Sequence, residues 1–432
     1  MALFAKRAEL IDTENAFKVG PYIRAIEEQG KRVIKCNLGE PDFPLPAFIK
    51  EELKRQIDRD NTHYVDPQGI LPLRKAVAKH LGVTRGIPAT PDRVVVFPGA
   101  KPPIGFCQQT YCDPGDEVIY PSPGFPIYES FIAYVGARPM PLHLDEARNF
   151  TFTGRDVAAL LGPRTKLLYL NFPSNPTGGV ASRAQLEELA DVIRSQGSAD
   201  LRVFSDEVYE HILFDGSTHV SVSSLPGMAE RTILVSGASK SYSWTGGRIG
   251  WALFPTAKEA DAVRNLNINY FSCIPGYNQE GAREALESPE AAPAIRKMVT
   301  AFQERRDVVV AALNAIPGVR CQTPKGAFYV FPNIAGVCES LGVLDAYAAL
   351  PADLKARTSP STLFQMFLLF EYQVATLDRK SFGRIGAEHL HYLRISIATD
   401  LESLQEGMRR FAAAAQDREG FRRFAERGEH LW

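Results

Sequence analysis

Paired cysteines, long apolar runs and a surplus of either charge are all missing from this sequence, and each absence closes off a class of protein. The six cysteines (Cys36, Cys107, Cys112, Cys273, Cys321, Cys338) are scattered and contain no C-x-x-C pair. That argues against a disulfide framework or a zinc site, so no metal ligand set is read, and it fits a reducing compartment. No uncharged apolar run is long enough to span a membrane. The start, MALFAKRAEL, reaches charge before an apolar h-region can form, which speaks against a secretory signal. With 49 basic and 50 acidic side chains, no stretch is basic enough to make nucleic acid the main partner. The expectation is a cytoplasmic globular protein, bound neither to membrane nor to nucleic acid. Its 432 residues, 45% of them hydrophobic, suffice for two or three ordinary domains.

Between about residues 90 and 255, short β-branched or apolar runs alternate with helix-like segments. The runs are RVVVF (93–97), DEVIY (116–120), KLLYL (166–170), LRVFS (201–205) and TILVS (232–236). One intervening helix is well marked. Ser182 and Gln185 form a capping box, Leu186, Leu189, Ala190 and Ile193 recur at helical spacing, and Gly197 closes it. Strands alternating with helices predict crossover units, an α/β fold and a mostly parallel sheet. Each run leads directly into a polar or glycine-rich turn: PGAK, PSPGF, NFPSNP, DEVY and GASK. Ligands of open α/β sheets bind at the carboxyl ends of strands, so the five turns point to one shared site. After residue 300 a charged helical stretch, PKGAFYVFP, a long Leu- and Ala-rich segment and HYLRISIA indicate a smaller α+β domain. The stretch before Pro46 is too short for a domain and is expected to pack with that C-terminal part. The tail QDREGFRRFAERGEHLW fits either a terminal helix or a partly disordered end.

Several turn residues have ordinary readings when taken singly. PGAK (98–101) brings Gly99 and Ala100 to a helix start, where free N–H groups make an anion site, but a plain strand–helix turn accounts for it too. Asp206 suits a helix cap, a metal ligand or a partner for a buried cation. Asn175, in NFPSNPTGG, is a common turn starter. Phe125, in SPGFPIY, is a usual core residue. SGASKSYSWTGGRIG (236–250) is harder to explain by packing. An amine kept neutral by burial and nearby cations is a carbonyl nucleophile. An arginine fork eight residues after Lys240, with serine hydroxyls, suits a phosphate group.

In order along the chain stand LGEPDF (38–43), a tyrosine–glycine–LR pattern (Tyr64, Gly69, Leu73, Arg74), DPGDEVI, NPTG, DEVY, SK-x7-R and LRIS. Over nearly its whole length the chain thereby resembles the fold-type I pyridoxal-phosphate-dependent enzymes, specifically the class I/II aminotransferases of the aspartate aminotransferase type. The resemblance implies a large domain with a mostly parallel seven-stranded sheet flanked by helices (47–300). A smaller α+β domain would come from 1–46 and 301–432. It implies pyridoxal 5′-phosphate as cofactor, a small amino acid and a 2-oxo acid as partners, and a homodimer with shared sites. Lys240 then matches the Schiff-base lysine, which also shuttles the substrate Cα proton. Asp206 would pair with the pyridinium nitrogen, Asn175 and Tyr209 would hydrogen-bond the phenolic oxygen, and Phe125 would stack on the ring. The Gly99 turn, with the N–H groups of Ala100 and Lys101, Ser239 and Arg248, would hold the phosphate, joined by Tyr64 of the partner subunit. Arg394 would bind the substrate α-carboxylate, helped by Asn175 and the backbone of Gly39. The bonds before Pro123 and Pro176 are expected to be cis.

Two features depart from the family pattern. Gly237 stands where a phosphate-binding serine is common; Ser239 is the expected replacement, with Ser236 as an alternative. The segment between Pro332 and LRIS is longer than usual. The expected reaction moves an amino group from an L-amino acid, aspartate or another common one, to 2-oxoglutarate or pyruvate in ping-pong fashion. Lys101 motivates a dicarboxylic substrate, whereas Tyr22, Tyr270 and Phe271 would favour aromatic or bulky aliphatic ones. Carbon–sulfur β-lyases, cyclopropane-forming synthases and non-catalytic pyridoxal-phosphate-binding sensors share the same cage and stay open as alternatives. A sensor needs a fused DNA-binding domain, for which the stretch before LGEPDF is too short.

Overall fold

The computed structural model describes residues 3–429. After β1 (Ile34–Lys35), seven strands build one sheet. They are β2 (Val94–Phe97), β3 (Glu117–Ser122), β4 (Arg138–His143), β5 (Thr165–Asn171), β6 (Arg202–Asp206), β7 (Thr232–Gly237) and β8 (Gly250–Leu253). Their spatial order is β2-β8-β7-β6-β5-β3-β4. β8 runs antiparallel to both its neighbours, and the other pairs are parallel. Every residue of β2, β3, β7 and β8 is buried, as expected of strands covered on both faces.

The five apolar runs correspond to β2, β3, β5, β6 and β7. β4 and β8 were not legible as runs. β4 is an edge strand with two prolines and a mostly half-exposed pattern, and β8 is a short segment straight after a glycine turn. Helix Arg183–Gln196 carries the capping box in both directions and buries Leu186, Leu189, Ala190 and Ile193. Gly197 ends it in extended backbone (φ −72°) rather than left-handed. Glycine is needed there for closeness, because a Cβ would stand 2.6 Å from the Ile193 carbonyl.

Four short strands follow: β9 (Tyr329–Val330), β10 (Val374–Ala375), β11 (Leu377–Asp378) and β12 (Leu393–Ser396). β11-β12-β9 form an antiparallel sheet, and β10 pairs in parallel with β1. The N-terminal arm therefore joins the C-terminal part through β1. Ala16, Val19, Ile23 and Ile26 belong instead to a core that includes Leu168, Leu170 and Val203 of the large sheet, so the arm binds both parts together. The long segment before β12 folds into helices Ala335–Leu341, Val343–Ala349, Ala352–Arg357 and Pro360–Tyr372. The last is buried at every position from Pro360 to Leu369 and packs Phe364 and Phe367 against Phe411, Phe421 and Phe424. The tail is helical over Arg418–Arg427, while His430, Leu431 and Trp432 lie outside the described residues. Among the described residues no helix is long and apolar enough to cross a membrane.

Candidate active site

β6 delivers Asp206 to the carboxyl end of the sheet, where it is buried. Tyr128 Oη donates to its Oδ2 at 2.6 Å, and the Val208 N–H to its Oδ1 at 3.4 Å. Burial raises the carboxyl to about 6, against the pull of the Tyr128 hydrogen bond. One strand over, Asn171 Nδ2 donates to the Asp206 carbonyl (3.2 Å), and Asn171 Oδ1 accepts from the Asn175 N–H (2.9 Å). The end of β5 thus sets Asn175, whose Oδ1 accepts from Arg394 Nη1 at 3.0 Å.

Arg394 comes from β12 and is buried. Its Nη2 donates to the Asn37 carbonyl, and the guanidinium carbon lies 4.6 Å from the Tyr329 ring centre and 4.9 Å from that of Phe382. Its Nε has no partner among the described residues. Burial lowers its pKa.

Lys240 sits on the short helix Ala238–Ser241 that leaves β7, and its Nζ donates to the Gly39 carbonyl at 2.6 Å. Burial lowers the amine to about 8; Arg394 and Arg248 push the same way, while Glu14 and Glu40 oppose. Gly39 admits no side chain, because a Cβ would fall 2.2 Å from Tyr329 Oη. That hydroxyl shares a 2.8 Å hydrogen bond with Tyr209 Oη.

At the end of β2 the chain turns through Gly99 (φ +91°), where a Cβ would stand 2.2 Å from Arg248 Nη2. Gly250 backs the same turn, since a Cβ there would meet the Ala100 nitrogen at 2.6 Å. Helix Pro102–Tyr111 starts just beyond, and the N–H groups of Ala100 and Lys101 have no partner among the described residues. Arg248, exposed, donates to the Thr245 carbonyl (2.7 Å) and the Pro98 carbonyl (3.3 Å). Ser239 is partly buried beside Lys240. The Lys101 ammonium pairs with Glu14 and lies 5.6 Å from the Phe125 ring centre. Phe125 packs edge-on against Tyr128 at 5.8 Å.

Not every expected residue joins this group. Ser236 donates to Glu210 Oε1 at 2.6 Å, so the possibility held for it is corrected: its hydroxyl is committed to a carboxylate. Tyr64 is 89% exposed. Tyr22 packs edge-on against Phe370, and Tyr270 and Phe271 pack against Phe106. The bonds before Pro123 and Pro176 are cis as expected, and so is a third, Phe172–Pro173. Sequence reasoning missed Tyr128, Tyr329, Glu14 and the Asn37 carbonyl. Only Tyr128 carried a signal, lying one helical turn after Phe125.

A second buried cluster adjoins the first. Arg85 donates Nε and Nη2 to Glu207 Oε2 (3.0 and 2.7 Å), and Nη2 also to Glu210. Ser205 and Ser221 donate to Glu207, and His219 Nε2 lies 3.0 Å from it. Burial alone would raise the Glu207 carboxyl, but Arg85 and His219 outweigh it and hold the group at about 2. His80 and His211 approach Glu210 closely enough to suggest a metal site, yet Arg85 already occupies that carboxylate and its charge opposes a cation.

Together these features define a two-part α/β enzyme, its site built at the strand ends of a mostly parallel sheet and completed by an arginine from a smaller sheet. The chain matches the family "Aminotransferase class I and II" over residues 31–411 and belongs to it. It is 34% identical to the aspartate aminotransferase of Rhizobium meliloti (strain 1021) over 411 residues, 95% of each chain. It is 35% identical to an arginine–pyruvate transaminase of Pseudomonas aeruginosa over 390 residues, 90% of this chain and 92% of the relative. The crystal structure of the Rhizobium meliloti aspartate aminotransferase superposes with a TM-score of 0.85 at 32% identity, covering 96% of this chain and 99% of that one. The protein is an aminotransferase, of a family that uses pyridoxal phosphate.

Proposed function

We propose that this aminotransferase holds pyridoxal 5′-phosphate at Lys240 and passes amino groups from aspartate or another common L-amino acid to 2-oxoglutarate or pyruvate, as a homodimer. Lys240 carries this reading: a buried amine brought to about 8, between an anion cup and a buried guanidinium with an unpartnered Nε. The residues present fit the cofactor. The open N–H groups of Ala100 and Lys101, the Gly99 turn, Arg248 and Ser239 suit a phosphate. Asp206 suits a ring nitrogen, Asn175 and Tyr209 a phenolic oxygen, and Phe125 a ring face.

When bound, pyridoxal phosphate supplies an aldehyde for amines and a ring that accepts electron density from the substrate Cα. The chain's own groups do the rest. Arg394 receives the α-carboxylate through its fork and is oriented for that by Asn175 and the Asn37 carbonyl. Asp206, held in place by Tyr128, would favour a proton on the ring nitrogen of the bound cofactor. Lys240, its pKa lowered to about 8 by burial, would take the proton from the substrate Cα and hand it to the aldehyde-derived carbon on the other side of the amino nitrogen. Two half-reactions of this kind, one releasing a 2-oxo acid and one consuming another, give ping-pong kinetics.

Lys101 bears on the choice of donor. A side-chain carboxylate would have to displace Glu14 from it, whereas an uncharged side chain would not. The dimer is supported by Tyr64, Ile268, Tyr270 and Phe271, which are large apolar side chains left exposed. In the dimer, Tyr64 of the partner subunit would complete the phosphate cup. The test is to reduce the yellow enzyme with borohydride, map the labelled peptide, and then follow the cofactor absorbance on adding single amino acids. Label on a lysine other than Lys240 overturns the cofactor assignment. Aspartate turnover unaffected by Lys101→Ala overturns the dicarboxylate argument alone.

A further inference from the structure

Away from Lys240, a second cavity of about 790 Å³ lies between the edge strand β4 and the smaller sheet. Its wall is largely apolar, with Leu142, Leu144, Leu160, Phe331 and Leu390. Arg379 lines it too and is 1% exposed. Its Nη1 donates to the carbonyls of Phe382 (3.2 Å) and Gly383 (2.8 Å), and its Nη2 to Ser122 Oγ (3.0 Å). The Nε has no partner among the described residues.

Nor does Arg379 form an ion pair with any carboxylate of the described residues. Asp378, next in the chain, spends its oxygens on Ser381 and Thr362, and Glu129 accepts from Tyr120 and the Arg384 N–H. Burial lowers the guanidinium to about 10, with the nearby charges of Asp378 and Glu129 opposing it through space. The other charges at the cavity pair with one another: Arg320 holds Glu146 through two bonds of 2.7 and 2.8 Å, and Arg148 lies 3.4 Å from Asp145 and 3.3 Å from Asp156. A buried charge that no carboxylate hydrogen-bonds gains when one is brought to it. With both Nη atoms engaged, the buried Nε is the donor left over, and a carboxylate oxygen matches it. The apolar part of the wall asks for hydrocarbon. The volume falls in the usual small-molecule range of roughly 300–1,000 Å³.

We infer that this cavity binds a small organic monocarboxylate with an apolar body, its carboxylate held by Arg379 and Ser122. The site is separate from that of the amino acid, which Arg394 serves, but it touches the same frame. Ser122 precedes Pro123 on the way to Phe125, and Phe382, whose carbonyl Arg379 holds, packs on the Arg394 guanidinium.

The experiment is calorimetric titration of the holoenzyme with 3-phenylpropionate. The expected result is one binding equivalent per chain that persists in Arg394→Gln, disappears in Leu160→Trp, and weakens at least tenfold in Arg379→Gln. Leu160 is partly exposed and remote from Lys240, so Leu160→Trp fills the cavity while amino-acid turnover stays at the wild-type rate. Superimposable titrations of wild type and Leu160→Trp, with or without heat, overturn the inference. So does an equivalent that vanishes in Arg394→Gln alone, which would place it in the amino-acid site.

Discussion

Two clusters of buried charge meet at the end of β6, one beginning at Asp206 and the other at Glu207, and they follow opposite rules. Glu207 and Glu210 share Arg85, and serine hydroxyls take up further lone pairs. On the other side Asp206 has a phenol and a backbone N–H, while Lys240 and Arg394 hold only carbonyl and amide oxygens. Adjacent carboxyls consequently move apart, Glu207 down to about 2 and Asp206 up to about 6. A completed set of ion pairs serves the fold. An uncompleted set keeps its capacity for a ligand, and that is where functional groups with shifted pKa values gather.

Breaking each cluster at its cation tests this contrast most sharply. Lys240→Ala is expected to lower transamination by at least ~10⁴-fold, since one group supplies both nucleophile and proton carrier. The apo chain should melt no earlier, because no carboxylate is left stranded. Arg85→Met should do the reverse. It leaves Glu207 and Glu210 without their guanidinium, only histidines remaining beside them, and should cost about 3–5 kcal/mol in urea unfolding, with turnover per folded molecule retained. An unshifted urea midpoint would sink the structural role given to Arg85.

Arg394→Lys sharpens the comparison at smaller scale. Losing the fork while keeping the charge should raise the amino-acid KM by about 10- to 100-fold, with a lesser change in kcat. Equal losses in kcat and kcat/KM would instead assign Arg394 to the chemical step.

The smallest effect is in pH dependence. Between about pH 4 and 6, native Asp206 keeps a proton that the unfolded chain has released, so this group removes stability as pH rises through that window. Glu207 has the opposite sign: its contribution is present above about 4.5 and is lost as pH falls toward 2. Urea unfolding of the apo chain should show Asp206→Asn gaining about 2 kcal/mol on wild type from pH 4 to 6. A constant difference between the two would show that Asp206 is not desolvated.

Much of the fold could be read from the chain because β2, β3, β5, β6 and β7 are continuous apolar runs, as strands buried on both faces must be. β4 escaped notice because an edge strand tolerates prolines and half-exposure. Lys240 stood out because packing does not explain its serine- and glycine-rich turn, whereas Asp206, Asn175, Gly39 and Arg394 were assigned only through the resemblance of their motifs to the class I/II aminotransferases. Tyr329 and Arg379 did not, since nothing in their immediate neighbours marks an aromatic or a basic residue as facing a site, and Tyr128 had only its spacing from Phe125. That the Ser236 hydroxyl is taken up by Glu210 was not legible either, because spacing alone does not reveal which hydroxyl meets a carboxylate.

What the sequence determined by itself was the order of strands and turns, and with it the set of groups gathered at one end of a parallel sheet. Local propensity and strand–helix alternation act over a few residues, and that is enough to specify such an order. Only the tertiary structure decided which of those groups found partners. Asp206 and Glu207 are one peptide apart and chemically alike, but Arg85 comes from 122 residues away to Glu207 and Tyr128 from 78 residues away to Asp206. A side chain's charge state follows from what buries it and what pairs with it, and both are set by contacts between distant parts of the chain.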